Sequence, residues 1–319
     1  MAMENNKKNT QFDVVGFGIA ALDYICLVDE VANFNNAIFI ADVNFFGGGV
    51  VPTALVALQR LGGKSSFITL LGEDWIGKEI INGLEKEKID CSGINFIDNF
   101  KSPFSFVQVS KKDGERAIAF YPGSSSLLKF TERAKYLISK SKILHLDGLR
   151  PDENLKAAEF AHKQGLKVMI DANKVLEGTD KVLANADYLI LPQSFLYDYT
   201  GLKDIKDALL KIKKEYEPEI LVTTLGIEGS VALINKDFLH VETFKEVERK
   251  DTTGAGDVYH GAFLFGIIHG WSLKNIMIFS SAVSSIKCMS YGGRNGIPNF
   301  EATMKFLKGH DIDIKNFKI

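Results

Sequence analysis

Short apolar segments that alternate with longer amphipathic ones constrain the fold of this chain more than any other feature of its sequence. Several of the apolar segments are rich in strand-forming residues and end in glycine or aspartate, as at Gly18, Gly72 and Asp147. The segments between them have helical periodicity. Because strands joined through helices lie parallel and side by side, the alternation predicts a doubly wound, mostly parallel α/β sheet flanked by helices. The predicted strands are Phe12–Gly18, Ser66–Gly72, Ile143–Asp147, Leu166–Asp171, Tyr188–Leu191, Ile220–Thr224 and Ser230–Ile234, the last two as a tight hairpin. Helices are predicted at Trp75–Glu87, Glu153–Lys163, Asn275–Met289 and Asn299–Leu307.

Composition excludes several classes of protein. The 319 residues are 46% hydrophobic and 24% charged, which is ordinary for a soluble globular chain. A net charge of -2 gives no electrostatic reason to bind nucleic acid or a membrane surface, and no apolar segment is long enough to span a membrane. Cys26, Cys91 and Cys288 have neither disulfide-framework nor zinc spacing, so reduced thiols in the cytoplasm are expected. Residues 1–11 are polar and predict a disordered lead-in, which leaves one domain over residues 12–319.

The stretch Lys250–Gly266 carries the strongest chemical signal. A loop leads into a predicted helix, and the N–H groups of Gly254, Ala255 and Gly256 in its first turn have no partner within the helix. Free N–H groups at the positive end of a helix dipole form an anion site. Asp257 lies in the same turn, where the dipole favours an ionised carboxylate. A proton acceptor beside an anion site suits phosphoryl transfer to a hydroxyl, although a helix cap and a glycine turn alone would account for the same residues.

A second glycine-rich stretch, Phe46–Gly49, also precedes a predicted helix. Three successive glycines allow a ligand to approach the backbone, and the helical pattern follows from Thr53 to Leu61. The later Gly62–Ser65 imitates the end of a P-loop, but Leu58 stands where the first glycine is needed. A Walker-type phosphate site is therefore not predicted.

A rival signal lies at Gly16–Ala21, which matches the dinucleotide pattern Gly-x-Gly-x-x-Ala. Asp42 stands at about the distance at which such folds place a ribose-binding acid. An NAD-dependent oxidoreductase would need a helix from Ile19 onward, whereas Tyr24–Val28 and Ala37–Ile40 are rich in strand formers. The oxidoreductase stays an alternative at this point.

Two further segments, Phe104–Val109 and Ala117–Tyr121, alternate as a β-hairpin would across Lys111–Gly114. Together with strands after Asp23 they predict a small sheet, over about residues 23–47 and 97–122, that folds over a ligand. Arg116 lies at the return of the hairpin and is either a contact of this lid or a solvated charge.

The run Asp251–Asp257, Asp-Thr-Thr-Gly-Ala-Gly-Asp, with Gly261–Phe263 after it, resembles the signature of the ribokinase-like (PfkB) carbohydrate kinases. The Gly-Gly-Arg-x-Gly-x-Pro sequence of Gly292–Pro298 is similar to the ketohexokinase-like and sulfofructose-kinase-like branch. The resemblance covers roughly residues 12–308. It implies an ATP-dependent kinase for a small sugar or sugar derivative that uses Mg²⁺, with K⁺ in those members that bind a monovalent cation. Members often pair their lids into a homodimer.

The resemblance also implies roles for individual residues. Catalysis is carried over to Asp257 as base and to Gly254, Ala255 and Gly256 as anion hole. Sugar binding is carried over to Asp23, Gly48, Gly49, Asn173 and Thr53, which stands where relatives have asparagine. Nucleotide binding is carried over to Thr224, Gly226, Gly229 and Thr253, together with Gly254 and Gly256. A monovalent cation would lie near Asp251 and Thr253, which the loop at Tyr291–Pro298 would border.

Two departures from the family pattern keep a further alternative open. Many relatives have Asn-x-x-Glu, which assists magnesium and phosphate, where this chain has Gln193 and Leu196. Val175 stands where many have arginine, with Lys174 beside it. A non-catalytic, sugar-binding or regulatory relative therefore remains an alternative to the kinase.

Overall fold

The computed structural model describes residues 10–33, 35, 37–112 and 116–319. Within them the chain forms a nine-stranded sheet between two layers of helices and a separate four-stranded sheet. The strands are β1 (Val14–Phe17), β2 (Ala21–Val28), β3 (Ile40–Gly48), β4 (Ser65–Gly72), β5 (Asp90–Ile97), β6 (Phe104–Ser110), β7 (Arg116–Tyr121), β8 (Ile143–Leu146), β9 (Lys167–Ile170), β10 (Tyr188–Pro192), β11 (Ile220–Thr224), β12 (Ser230–Ile234) and β13 (Asp237–Val241). The helices are α1 (Val50–Leu61), α2 (Trp75–Lys86), α3 (Glu132–Ile138), α4 (Pro151–Lys163), α5 (Thr179–Leu183), α6 (Gln193–Thr200), α7 (Ile205–Tyr216), α8 (Ala255–Ile268), α9 (Leu273–Lys287) and α10 (Phe300–Gly309).

The large sheet has the order β13-β12-β11-β10-β9-β8-β1-β4-β5. Its strands are parallel except near one edge, where β12 runs antiparallel to both of its neighbours, β11 and β13. Successive side chains of a strand point to opposite faces, so Val14 packs with one apolar cluster while Val15 and Phe17 pack with the other. The first cluster includes residues of α1, α2, α8, α9 and α10, and the second residues of α3 to α7. The predicted doubly wound architecture is confirmed.

Helix α8 lies in the middle of one of these layers and is buried on all sides from Val258 to Gly266. It packs closely against α1, and glycine makes this approach feasible: a Cβ on Gly261 would stand 2.1 Å from Ala54 O. A helix held on every side presents its N-terminus at a fixed place. That end of α8 is where the anion site is predicted.

The four-stranded sheet has the order β3-β2-β6-β7 and confirms the predicted hairpin. Residues 113–115, where the turn is predicted, and the Arg116 side chain lie outside the described part of the chain. The sheet also overturns the rival interpretation, because the segment after Gly16–Ala21 is strand β2 and not a helix. Without a helix N-terminus there is no place for a dinucleotide pyrophosphate, and Asp42 is exposed on β3.

The lead-in predicted for residues 1–11 lies outside the described residues up to position 9. Gln11 already belongs to the domain, since its N–H donates to Lys140 O at 2.9 Å. No helix in the described ranges is long and apolar enough to cross a membrane.

Candidate active site

Two cavities meet at the N-terminus of α8. The first, which we call the Asp257 cavity, has a volume of about 330 Å³ and lies between the lid sheet and the large sheet. The second, the Thr224 cavity, has about 190 Å³ and lies on the other side of the same helix end. Gly254 and Asp257 line the first cavity, whereas Ala255 and Gly256 line the second. Four consecutive residues thus separate two pockets.

The loop before α8 is held by the carboxylate of Asp251. Its oxygens accept from the N–H of Thr253 and from the N–H of Gly292, each at 2.8 Å. Although burial opposes ionisation, these bonds and the nearby ammonium group of Lys287 lower the pKa of Asp251. Gly254 caps the helix with φ +75°, a conformation that favours glycine, and a Cβ there would stand 2.8 Å from Gly293 O.

Helix α9 fixes the carbonyl groups of the same loop. The Ser284 hydroxyl donates to Ala255 O at 2.9 Å. One turn later on α9, the buried Lys287 ammonium donates to Asp251 O at 3.0 Å and also to Thr253 O. The N–H of Ala255 donates to Thr252 O in a turn, at a longer 3.2 Å. Ser284 and Lys287 therefore fix the orientation of the peptide groups that form the predicted anion hole.

The carboxyl group of Asp257 is in an environment that disfavours its charge. Burial, followed by the negative charges of Asp171 and Asp23, raises its pKa to about 8, against opposition from His260 and Lys287. The expectation that the helix dipole keeps Asp257 ionised is therefore wrong for the protein without ligands. Its pKa falls in the range in which a general base is effective near neutral pH.

Behind Asp257 lies a buried ion pair that sequence reasoning missed. His260, one turn further along α8, places Nδ1 3.0 Å from Asp171 Oδ2 and 2.9 Å from Gly256 O, while Nε2 lies 2.9 Å from Ile190 O. A neutral imidazole has a single N–H, so acceptors at both nitrogens indicate an imidazolium. Burial alone would lower the pKa of His260, but Asp171 raises it to about 9.

A second histidine, His145 on β8, lies beside this ion pair. Its ring stacks on that of His260, with 5.9 Å between the ring centroids. Complete burial, followed by the charge of His260, lowers the pKa of His145 to about 3. The column His145–His260–Asp171 connects the ends of β8 and β9 to the first turn of α8. The only sequence signal for this column was His260 itself, which stands one helical turn after Asp257.

The lid side of the Asp257 cavity is set by β2 and β3. Asp23 on β2 is buried, and its carboxylate lies against the backbone of Gly48, where a Cβ would come within 2.2 Å of Oδ2. Burial raises the pKa of Asp23, and a hydrogen bond with Ser105 partly offsets the effect. Gly49 lines the cavity too, and Asn173 and Lys174 reach it from the turn after β9.

Arg294 joins the two motifs that the sequence shows separately. Its guanidinium donates to Gly48 O at 2.8 Å and to the Thr53 hydroxyl at 3.3 Å. A Cβ on Gly47 would stand 2.2 Å from the same guanidinium. Thr53 is 1% exposed and does not line the Asp257 cavity, so its described partner is Arg294. Part of the triple glycine therefore accommodates an arginine of the chain.

The Thr224 cavity brings together the Thr-x-Gly-x-x-Gly loop and α9. Thr224, Gly226 and Gly229 line one wall, and a Cβ on Gly256 would meet nothing within 4 Å. Another wall carries small side chains of α9, which leave room for a flat ring: Ser281, Ser284 and Ser285. Thr253 and Gly254 are the exceptions among the predicted nucleotide residues, because both line the Asp257 cavity.

The departures at Gln193 and Leu196 have a structural explanation. Leu196 is fully buried in the core beneath α6. The side-chain amide of Gln193 donates to Tyr197 OH at 2.8 Å. Among the residues that the structure describes, no group of three His, Cys, Asp or Glu side chains is placed to hold a metal ion.

The class of protein follows from the fold and the site. A doubly wound α/β sheet with a small lid sheet, and a carboxyl group between two pockets at a helix N-terminus, are typical of carbohydrate kinases. Comparison with known proteins agrees: the model of the pfkB family carbohydrate kinases matches residues 11–299, and the chain belongs to this family. Its relatives include proteins named fructokinase, ribokinase and nucleoside kinase. The chain is an ATP-dependent carbohydrate kinase.

Among similar proteins is the probable fructokinase-3 of Arabidopsis thaliana, 28% identical over 96% of this chain and 94% of that protein. The nucleoside kinase of Methanothermobacter thermautotrophicus is 28% identical over 92% of this chain and 95% of that protein. The structure of Arabidopsis thaliana ribokinase complexed with ribose and ATP superimposes with a TM-score of 0.83 over 93% of this chain and 99% of that one, at 21% identity.

Proposed function

We propose that this kinase transfers the γ-phosphoryl group of ATP to a hydroxyl of a small sugar or sugar derivative held in the Asp257 cavity, with ATP in the Thr224 cavity. The observation that carries the proposal is the meeting of the two cavities at the first turn of α8. An acceptor on one side and a donor on the other would face each other across the amides of Gly254 to Gly256. This is the in-line arrangement that phosphoryl transfer requires.

Asp257 is proposed as the base that takes the proton of the attacking hydroxyl. Its raised pKa makes it a stronger proton acceptor than an ordinary carboxylate, and a pKa of about 8 suits transfer near neutral pH. Asp23, Asn173 and Gly49 surround the same cavity and would orient the other hydroxyls. Gly48 would contribute indirectly, by leaving room for the Asp23 carboxylate. Thr53 would contribute by accepting a hydrogen bond from Arg294.

The amides of Gly254, Ala255 and Gly256 are proposed to stabilise the charge on the transferred group. They lie at the positive end of a buried helix and at the border of both cavities. The Ala255 N–H would exchange its long turn bond to Thr252 O for a phosphoryl oxygen. Because the carbonyls behind them are already held, little reorganisation would be needed.

Magnesium is proposed to enter with ATP. The donor set suits this, because Gln193 and Leu196 offer no carboxylate and the described residues form no three-ligand cluster. Mg²⁺ usually keeps several waters and binds substrate phosphates with one or two protein oxygens. When bound, it would offset the negative charge of the phosphates.

The substrate is proposed to be a monosaccharide or a molecule of similar size. The cavity of about 330 Å³ is at the small end of ligand pockets. Its apolar walls include Val107, Ile118 and Phe120 of the lid, whereas Lys174 offers a cation to an anionic substituent. Relatives named fructokinase, ribokinase and nucleoside kinase define the range to screen.

We further propose that the lids of two chains pair into a homodimer in the cytoplasm. The edge strand β3 exposes Val43 and Phe45, and the other edge strand, β7, exposes Ile118 and Tyr121. Unpaired edges with apolar side chains favour association. Cys26, Cys91 and Cys288 form no disulfide, which is compatible with a reducing compartment. Sedimentation equilibrium of the wild type and of a Val43→Lys, Phe45→Lys variant tests the dimer, and an unchanged mass would contradict the lid interface.

The decisive experiment is a panel of ketoses, aldoses, nucleosides and sugar phosphates, screened for ADP formation with magnesium and ATP. One compound class should give ADP and a phosphorylated product with the wild type and not with Asp257→Ala. Sugar binding by calorimetry without ADP formation would instead favour the non-catalytic, sugar-binding relative.

A further inference from the structure

A buried ammonium group lies where the family resemblance leads one to expect a monovalent cation. Asp251 and Thr253 are the residues expected near such an ion. In the structure, Lys287 Nζ donates to Asp251 O at 3.0 Å and also to Thr253 O. Lys287 is 0% exposed, although lysine is almost never fully buried unless it is paired. The two backbone oxygens therefore already hold a positive charge.

A potassium ion does not fit this arrangement. K⁺ is held in proteins by backbone carbonyl oxygens that replace its hydration shell. An ammonium group has the same charge and nearly the same size, and its N–H donors satisfy the same oxygens. A second cation at these carbonyls would be repelled by Lys287 at close range, in a site with little water to screen it.

We propose that Lys287 permanently takes the place of the potassium ion, so that this kinase needs no monovalent cation. The geometry gives the lysine a definite task. Thr253 C=O and Gly254 N–H belong to one trans peptide and point in opposite directions. By holding Thr253 O, the ammonium directs the Gly254 N–H away from itself and toward the side of the loop that borders the Asp257 cavity.

The surroundings of Lys287 explain how its charge is accommodated. The Asp251 carboxylate is the opposite charge in the same loop, and Lys287 contributes to the lowering of its pKa. That carboxylate is in turn held by the N–H groups of Thr253 and Gly292. A buried charge with an opposite charge and hydrogen bonds is tolerated, whereas an isolated one is not. Lys287 is thus a positioning residue that acts through the loop.

The first test uses the wild-type protein in chlorides of potassium, sodium and tetramethylammonium at one ionic strength. The turnover rate and the melting temperature are expected to agree in the three salts, the rates within about twofold. A saturable activation by K⁺ of about fivefold or more, or a melting temperature raised by K⁺ alone, would overturn the proposal.

The second test replaces the ammonium without shortening the side chain, as Lys287→Met. The variant should lose about tenfold or more in turnover without K⁺ and regain much of it with K⁺, which would also raise its melting temperature. Lys274→Met, an exposed position on the same helix, is the matched control and should behave as wild type. Full turnover of Lys287→Met in the absence of K⁺ would contradict the positioning role.

The inference rests on the proposed function only for its kinetic measurement. If no compound of the panel is phosphorylated, the proposed function fails, and the melting temperatures in the three salts still decide the question of the cation. If Lys287→Met does not fold in any salt, the wild-type comparison decides it.

Discussion

The guanidinium of Arg294 donates to Gly48 O at 2.8 Å and so joins two segments that lie 246 positions apart in the sequence. Burial lowers the pKa of Arg294 to about 10, which still leaves it charged at neutral pH. The contact fixes the end of β3, where the lid meets the large sheet, relative to the loop that holds Asp251. The wall of the Asp257 cavity thus depends on a residue outside it.

Replacing this arginine should therefore affect both stability and substrate binding. Arg294→Met leaves Gly48 O without its donor, and we expect a loss of roughly 3 kcal/mol in the free energy of unfolding together with a raised KM for the sugar. Denaturant unfolding and steady-state kinetics measure the two effects. Arg133→Met removes an exposed contact to Ser92 O and should stay within about 0.5 kcal/mol of wild type. Equal effects of the two changes would argue against a special role for Arg294.

Removal of the proposed base should reduce turnover strongly and leave sugar binding nearly unchanged. For Asp257→Ala we expect kcat to fall by roughly 10²–10⁴, because the attacking hydroxyl loses its proton acceptor. Calorimetry should show sugar affinity within a few-fold of wild type. Asp207→Ala, which also removes a first-turn carboxylate but in the exposed part of α7, is the control. Full turnover of Asp257→Ala with any substrate would refute the assignment.

The pH profile should report the carboxyl group of Asp257. With both substrates below their KM, the rate should rise with pH, with a midpoint near pH 8 and a plateau above it, since only the ionised form accepts a proton. His260→Gln removes a positive charge and should move this midpoint upward, whereas Asp171→Asn removes a negative charge and should move it downward. Midpoints that stay in place, or that move in the same direction, would mean that the ion pair has only a structural role.

Stability gives a second view of the same group. A carboxyl group whose pKa rises from 3.8 to about 8 on folding stabilises the protein fully below pH 3.8, and this contribution is lost as the pH rises through 8. The melting temperature of Asp257→Ala relative to wild type should therefore increase between pH 4 and pH 8. A difference that is constant over this range would contradict the raised pKa.

The proposed anion hole can be tested by a substitution that does not destabilise the protein. A Cβ on Gly256 meets nothing within 4 Å, so Gly256→Ala should stabilise α8 by about 1 kcal/mol through helix propensity. The same methyl group would occupy the space that a phosphate needs, and the KM for ATP should rise while kcat falls. Gly83→Ala in α2, where a Cβ is equally free, should stabilise the protein without affecting turnover. Unchanged kinetics of Gly256→Ala would exclude a phosphate at this backbone.

Much of the fold followed from local pattern. Buried strands such as Ile143–Leu146 are apolar throughout and end where polar residues begin, so their number and direction could be predicted, together with the lid hairpin. Strands with fewer apolar residues, such as β5 and β13, could not, because each is stabilised by pairing at an edge of the sheet and not by its own composition.

The sequence by itself determined that α8 starts at a glycine turn with an aspartate in its first turn, because glycine adopts the positive φ of Gly254 and a carboxylate is favoured at the positive end of a helix. Only the tertiary structure decided what surrounds that aspartate. His260 and Asp171 meet because β9, β10 and α8 converge, and Lys287 reaches the loop because α9 packs beside it. Charges that act at short range through a buried medium depend on distances in space, which the spacing of residues along a chain does not fix.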